Sequence, residues 1–354
     1  MRAAAPIAFD HLTGPTHPPG VTMPRPGDLV IGGYTPDTEG SGPGLTVARP
    51  DAEGRLEAVA ETAVSGPSFV AGHPRLPLLY AVLEREGEGG LAVLAAGEDR
   101  AAPRLLAEHP SGGSLPCHLA IDDRGEWLAI ANYGDGTVTA YRLGEDGMPE
   151  PGPLTFPHEG RGPHPERQEG PHAHMAVFGP DGVLYVTDLG TDEVRRFLPG
   201  MRPHPEGSVR LAPGSGPRHF LHHEGHWYVT GELDGTVRVY DASWREAGMV
   251  RASGAEGENL PSHIALSADG RHLYVANRGP DTVAVFAVGG PGLRMVAEAP
   301  AGGRWPRHFA IDGDRLYVAC QRSDAVVALG LKEGLPEHGG QVLAVGTPSC
   351  VLVR

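Results

Sequence analysis

A proline that opens an apolar segment recurs at Pro67, Pro116, Pro171, Pro217, Pro261, Pro306 and Pro348, at intervals of 49, 55, 46, 44, 45 and 42 residues. Few architectures accept such a period. Units of about 40–50 residues that each hold several strands are the mark of a β-propeller, not of a helical solenoid. Each unit here repeats the same segments. The second segments read LLYAVLE, LAIANYG, LYVTDLG, WYVTGEL, LYVANRG and LYVACQR, and the third read LAVLAAG, TVTAYRL, EVRRFLP, TVRVYDA, TVAVFAV and AVVALGL. Fourth segments such as RLLAEHP, RMVAEAP and QVLAVGT close most units. Val, Tyr and Thr enrichment, alternation and Asp-Gly turns predict antiparallel hairpins. No long stretch carries a helical apolar stripe. A composition of 52 Gly and 35 Pro suits many short strands and turns.

The two ends of the chain complement one another. TPSCVLVR at the C-terminus is a first segment with nothing after it, while DLVIGGYT, GLTVARP and LEAVAET near the N-terminus are second, third and fourth segments without a first. Joining them makes a seventh unit and covers the open edges. The expected fold is therefore all-β: one seven-bladed β-propeller over residues 27–354, with four antiparallel strands per blade and the last blade closed by N- and C-terminal segments. Residues 1–26, rich in proline and lacking an apolar h-region, are expected to be a disordered tail on a cytoplasmic protein. Cys117, Cys320 and Cys350 are odd in number and far apart, which argues against a disulfide framework. A net charge of −15 argues against nucleic-acid or membrane-surface partners.

In a propeller the start of the first strand neighbours the end of the second, at the rim of the central channel. First-strand starts supply His118, His172, His174, Arg218, His219, His263, Arg307 and His308. Second-strand ends supply Glu84, Asn132, Asp188, Glu232, Arg278, Gln321 and Arg322. Arginine and histidine thus gather at one mouth of an acidic protein, and like charges so crowded call for an anionic ligand. Two readings stand for His118, His263 and His308, which recur by register: substrate contact, or a structural bridge between blades. Arg85, Arg322 and Asp188 read as solvated or inter-blade groups. His174, Arg218, Glu232 and Arg278 break the repeat, since matching positions elsewhere carry other residue types. No tight metal-ligand spacing, Gly-rich phosphate loop or GxSxG is present, so no metal or cofactor is expected.

These residues lie in IGGYT, PSFVAGHP, LPCHLAID with ANYGDGTV, PERQEGPHAHMAVF, GSGPRHF with GELDGTV, LYVANRG and PRHFAID. In those motifs the chain resembles the bacterial propeller lactonases of the 6-phosphogluconolactonase type, from about residue 28 to the end. The resemblance, together with the family's fungal lactonising relatives, implies a cluster of one histidine, one glutamate and two arginines, falling on His174, Glu232, Arg218 and Arg278. Three positions depart from the pattern: Gly231 stands for the usual Asn, His263 for a common acidic residue, and Leu83 for Asn.

The expected activity is hydrolysis of a small anionic sugar lactone, 6-phosphoglucono-δ-lactone first, in the pentose phosphate pathway. His174 or Glu232 would take a proton from water, and one arginine would stabilise the oxyanion while the other grips phosphate or carboxylate. His118, Arg167, His172, His219, Arg307 and His308 are the expected substrate contacts. Arg167 and Gln168, in the long link HEGRGPHPERQEG, are expected to cap the mouth. The alternatives are a carboxymuconate lactonising cycloisomerase, using the same groups in reverse, and a non-catalytic propeller that binds a partner at its rim. The expected assembly is a monomer or homodimer.

Overall fold

The computed structural model describes residues 27–51, 55–97, 102–289, 292–337 and 339–354. The expected tail at 1–26 lies outside these residues. Seven sheets are arranged as blades: blade 1 spans residues 67–110, blade 2 116–156, blade 3 173–210, blade 4 217–251, blade 5 260–300 and blade 6 306–344. Blade 7 joins the C-terminal strand Pro348–Val353 to the N-terminal strands Leu29–Gly33, Leu45–Pro50 and Leu56–Thr62, in the order expected from the sequence. All strand pairs within the blades are antiparallel. The first strand of every blade lies against the first strands of both neighbours, closing a ring around the channel. Among the described residues the only helical turns are two short 3-10 segments, Pro36–Thr38 and Gln321–Ser323. None of these is long and apolar enough to cross a membrane.

The pattern of apolar residues follows from this stacking. Each second strand is sandwiched between adjacent blades, so it is apolar on both faces; Leu78–Leu83 is buried along its whole length. Outermost strands meet water, and Arg104–Pro110 is mostly exposed. The core is accordingly not one mass but seven seams, each drawn from two neighbouring blades. The seam closing the ring packs Val30 and Leu45 of blade 7 on Leu79, Ala81 and Leu83 of blade 1. Tyrosines of the second strands lock some seams from outside: the Tyr80 hydroxyl donates to the Gly147 carbonyl at 2.6 Å, and Tyr274 to Gly334 at 2.7 Å.

Blade 3 departs from the expected register. Its first strand is Ala173–Phe178, and Ala173 opposite Asp188 takes the place that Pro116 takes opposite Asn132 in blade 2. Pro171 and His172 therefore precede the strand. Its outer edge is also broken into two short pieces, Arg202–Pro203 and Val209–Arg210, both paired to the third strand.

The closing seam is tight at Gly32, where a Cβ would sit 2.2 Å from the Pro67 carbonyl oxygen of blade 1. Gly32→Ala is expected to lower unfolding free energy by about 1–3 kcal/mol, read as a lower urea midpoint; an unchanged midpoint would show that the seam yields.

Candidate active site

Two recurring backbone features bring distant side chains together at one mouth of the channel. The first is a register shift at the start of every first strand, which leaves the residue after the anchor residue unpaired. Those residues are Ser68, Cys117, His174, Arg218, Ser262, Arg307 and Ser349. A bulge of this kind re-aims a side chain away from the ladder. Four of the seven use that freedom to stitch one blade to the next. Cys117 donates to the His174 carbonyl (3.2 Å), Arg218 Nε to Ser262 (2.9 Å), Ser262 to Pro306 (2.6 Å) and Ser349 to Ser68 (2.7 Å).

The second feature lies at the end of each second strand. Tyr34, Glu84, Tyr133, Leu189, Glu232 and Gln321 each donate a backbone N–H to the residue just before the facing anchor, at 2.9–3.1 Å. Arg278, paired with Leu260, completes this ring. Several of the accepting residues take left-handed backbone, among them Leu115, Thr347 and Trp305 at φ +63°. For bulky residues that conformation carries strain of order 1–2 kcal/mol.

At the centre is the Glu232 carboxylate, 1 % exposed. Its Oε1 accepts from Arg167 Nη2 at 2.6 Å, and its Oε2 accepts from Arg218 Nη1 at 2.8 Å. Arg278 Nη2 approaches Oε2 to 2.7 Å as an ion pair without hydrogen-bond alignment. Burial alone would raise the Glu232 carboxyl, but Arg278, Arg218 and then Arg167 hold it well below the usual range. Burial lowers the Arg218 and Arg278 guanidiniums, and the Glu232 charge offsets this. Arg278 is steadied by its Nε bond to the Leu260 carbonyl (3.0 Å) and by Trp305, 5.3 Å away, whose other contact is Arg322 at 3.5 Å.

His174 completes the cluster. Its Nε2 lies 2.5 Å from Arg218 Nη1. A guanidinium can only donate, so Nε2 is the acceptor and the proton sits on Nδ1, facing Cys117 Sγ at 3.9 Å. Burial, reinforced by Arg218, holds His174 well below its ordinary value, so it is neutral. Arg307 stands across the mouth, 3.8 Å from Glu84 and 5.2 Å over the Tyr34 ring. Four guanidiniums (Arg167, Arg218, Arg278, Arg307) thus meet two carboxylates, an excess of two positive charges.

The remaining expected contacts fall into two groups. Arg167, with a side chain 34 % exposed, does lie over the cluster, touching Glu232 and, at 3.4 Å, the Tyr133 hydroxyl. Gln168 is no part of a lid: it is fully buried and pins the link by donating to Leu189 O (2.8 Å) and accepting from His164 N (3.0 Å). His172 does not share a strand face with His174. It stacks on Tyr133 (4.5 Å, 16°), with Nδ1 on the Tyr133 carbonyl and Nε2 3.2 Å from Glu169.

His118, His219, His263 and His308 follow the bulge and form a layer inside the channel. His263 stacks on His308 (3.9 Å), His219 Nδ1 meets His263 Nδ1 at 2.9 Å, and His118 packs on Phe69 (4.0 Å). Burial keeps all four well below the ordinary histidine range, His118 and His308 at about 3. Among the described residues no group of three or more His, Cys, Asp or Glu is arranged to hold a metal ion.

Tyr34 and Tyr133 were missed by the sequence reading, which stopped at Asn132, the last residue of its strand, instead of looking one residue further. Asn132 is fully buried and its amide donates to Ser111 and Thr137 carbonyls. Asp188, read as a solvated or inter-blade group, is buried and caps its own turn, accepting from His172, Gly190 and Thr191 N–H groups. Counting one residue past the partner of each anchor proline would have found both tyrosines.

A propeller that buries an ionised acid–base cluster under arginines at its channel mouth is built for chemistry on a small molecule. The chain belongs to the lactonase family of seven-bladed β-propellers, whose family model matches residues 28–353, and it is an enzyme of that class. It is 32% identical over 274 residues to a Bacillus subtilis protein named 6-phosphogluconolactonase, covering 74% of this chain and 78% of that one. A Formosa agariphila protein of the same name is 30% identical, over 73% of this chain and 80% of that one. The solved periplasmic gluconolactonase of Pseudomonas aeruginosa superposes with a TM-score of 0.86 at 29% identity, over 92% of this chain and 99% of that one.

Two outcomes follow from this charge arrangement. Glu232→Gln leaves the buried guanidiniums under-neutralised and is expected to cost about 3–5 kcal/mol of stability. Inorganic phosphate should raise the melting temperature of this variant more than that of the wild type; an equal rise in both would argue against an anion site. The histidine layer sets an acid limit. A histidine lowered on folding contributes fully above its unfolded value near 6.5, and that contribution is lost as pH falls toward the folded value. Stability should therefore drop from about pH 6.5 downward, and His118→Phe should make the slope between pH 6 and 4 shallower by about one proton. An unaltered slope in urea titrations would mean that His118 titrates normally.

Proposed function

We propose that the protein hydrolyses a small anionic sugar lactone, 6-phosphoglucono-δ-lactone to 6-phosphogluconate, as a step of the pentose phosphate pathway. The observation that carries this reading is the His174–Arg218–Glu232–Arg278 cluster with its excess positive charge, in a chain of the lactonase family. The family relation supports the ring-opening chemistry, and the charge excess supports an anionic substrate.

His174 is the better base. Its lone pair on Nε2 is directed at Arg218, and the carbonyl oxygen of a lactone entering beside Arg218 would compete for that N–H and free the imidazole. A bound anion would also offset the arginine charges that depress His174, bringing it nearer working pH. Glu232 is too firmly held by three guanidiniums to accept a proton, and its role is to orient them. Water loses a proton to His174 as its oxygen bonds to the lactone carbonyl carbon. Arg218 donates to the oxyanion; the ring C–O bond then breaks, and the leaving alkoxide takes the proton back from His174. Arg278 and Arg167 are the candidate holders of the anionic group, and Tyr133 with His172 frames one side. His118, His219 and His308 act from below, by supporting the bulged residues. The reading includes the cytoplasm as compartment, supported by three buried, free cysteines.

The test follows ring opening of 6-phosphogluconolactone by purified protein with chelator present. A rate well above spontaneous hydrolysis is expected, falling by about 10²–10³-fold in Arg218→Ala and also lost in Glu232→Ala. No acceleration by the wild type would remove this substrate.

A further inference from the structure

Blades 6, 7 and 1 supply a second half of the mouth that the chemistry above does not use. Glu84, whose side chain is 12 % exposed, points one oxygen at Arg307 Nη2 across 3.8 Å, too far for a hydrogen bond. Its other oxygen, Oε2, is buried without a well-aligned hydrogen bond, although the Tyr34 hydroxyl interacts with the Glu84 carboxylate. The Gln321 Oε1 is a second buried acceptor without one. Arg307 lies over Tyr34, and its guanidinium donates no hydrogen bond to another described residue. Buried acceptors left unpaired are rare and costly unless a ligand completes them.

We propose that Glu84, Arg307 and Gln321 form a hydroxyl-reading subsite, which makes Glu84 a specificity-determining residue selecting polyhydroxylated lactones. This rests on the lactonase reading above. A hydroxyl can donate to Glu84 Oε2 and accept from Arg307 at once. Glu84 and Gln321 hold the same rim position in blades 1 and 6, and two unpaired acceptors on that ring, with the Arg307 donor fork near Glu84, ask for a ligand rich in donors such as sugar hydroxyls. A plain hydrocarbon ring would leave all three groups unpaired. A ring carrying carboxylates would satisfy Arg307 but meet the like charge of Glu84, so the subsite also disfavours carboxymuconate-type substrates. Arg307 links the two halves, because its charge acts on His174, Arg218 and Arg278.

The experiment compares kcat/KM for 6-phosphoglucono-δ-lactone, glucono-δ-lactone and δ-valerolactone in the wild type, Glu84→Gln and Glu84→Ala. Melting temperatures check that both variants fold. The ratio of glucono-δ-lactone over δ-valerolactone is expected to fall about tenfold or more in Glu84→Ala, chiefly through KM, with Glu84→Gln between. A fall of equal size on all three substrates, or none on any, would overturn the subsite while leaving the lactonase reading in place. If the wild type accelerates none of the three, the lactonase reading falls and the subsite falls with it.

Discussion

The Glu232 carboxylate is the charge that the mouth of this propeller depends on. Three guanidiniums converge on its two oxygens, from the link before blade 3, from blade 4 and from blade 5. Without it, Arg218 and Arg278 would be buried cations with only neutral partners: backbone carbonyls, the His174 imidazole and the Trp305 ring. With it, they are held charged and in fixed directions inside a low-dielectric wall, where a dipole aimed at a developing oxyanion acts most strongly. Burial and the Arg218 charge keep His174 neutral against the opposite pull of this carboxylate. Arg218 donates to both the carboxylate and the imidazole through one nitrogen, so the three groups form one unit.

That unit can be assembled because each blade leaves two positions free of sheet duty. One is the residue at the bulge, outside the ladder; the other is the residue just past the second strand, fixed only through its backbone N–H. In blades 1, 5 and 7 the bulge position holds Ser68, Ser262 and Ser349, and two of these serines stitch neighbouring inner strands. Blades 3, 4 and 6 exchange that serine for His174, Arg218 and Arg307. Arg218 keeps the stitching bond through Nε while turning its terminal nitrogens to Glu232. Function has been placed where the architecture already required a polar side chain.

The repeat explains what could be read from the sequence and what could not. Blade number, strand order and the closure of blade 7 were legible, because seven seams demand seven near-identical apolar segments and any missing strand would show. His174, Arg218, Glu232 and Arg278 stood out because they break the repeat, and the structure brings them within contact of one another. Register inside a blade was less legible. A bulge shifts pairing without altering the apolar pattern, so Pro171 passed for the anchor that Ala173 occupies, and His172 passed for a strand residue. The same ambiguity made Asn132 look like a rim residue and hid Tyr133 one position further. Gln168 misled for a different reason: a polar residue in a long link suggests solvent, and only the fold shows its amide satisfying Leu189 and His164.

The layer of neutral histidines beneath the cluster makes physical sense in this setting. A channel wall of small apolar residues would leave a void under the bulges, and a wall of charged residues would add repulsion to a site with two positive charges already in excess. Neutral imidazoles fill the volume with stacked rings and still offer nitrogen acceptors to stray backbone donors. His118 accepts from Ala176 N at 3.4 Å, and His308 accepts from Val351 N at 3.3 Å. Burial enforces their neutrality, and the Arg218 charge, which acts on all four, adds to it. The site above and the packing below are therefore not separable: the arginines that would receive an anion also help keep the histidines that support them uncharged.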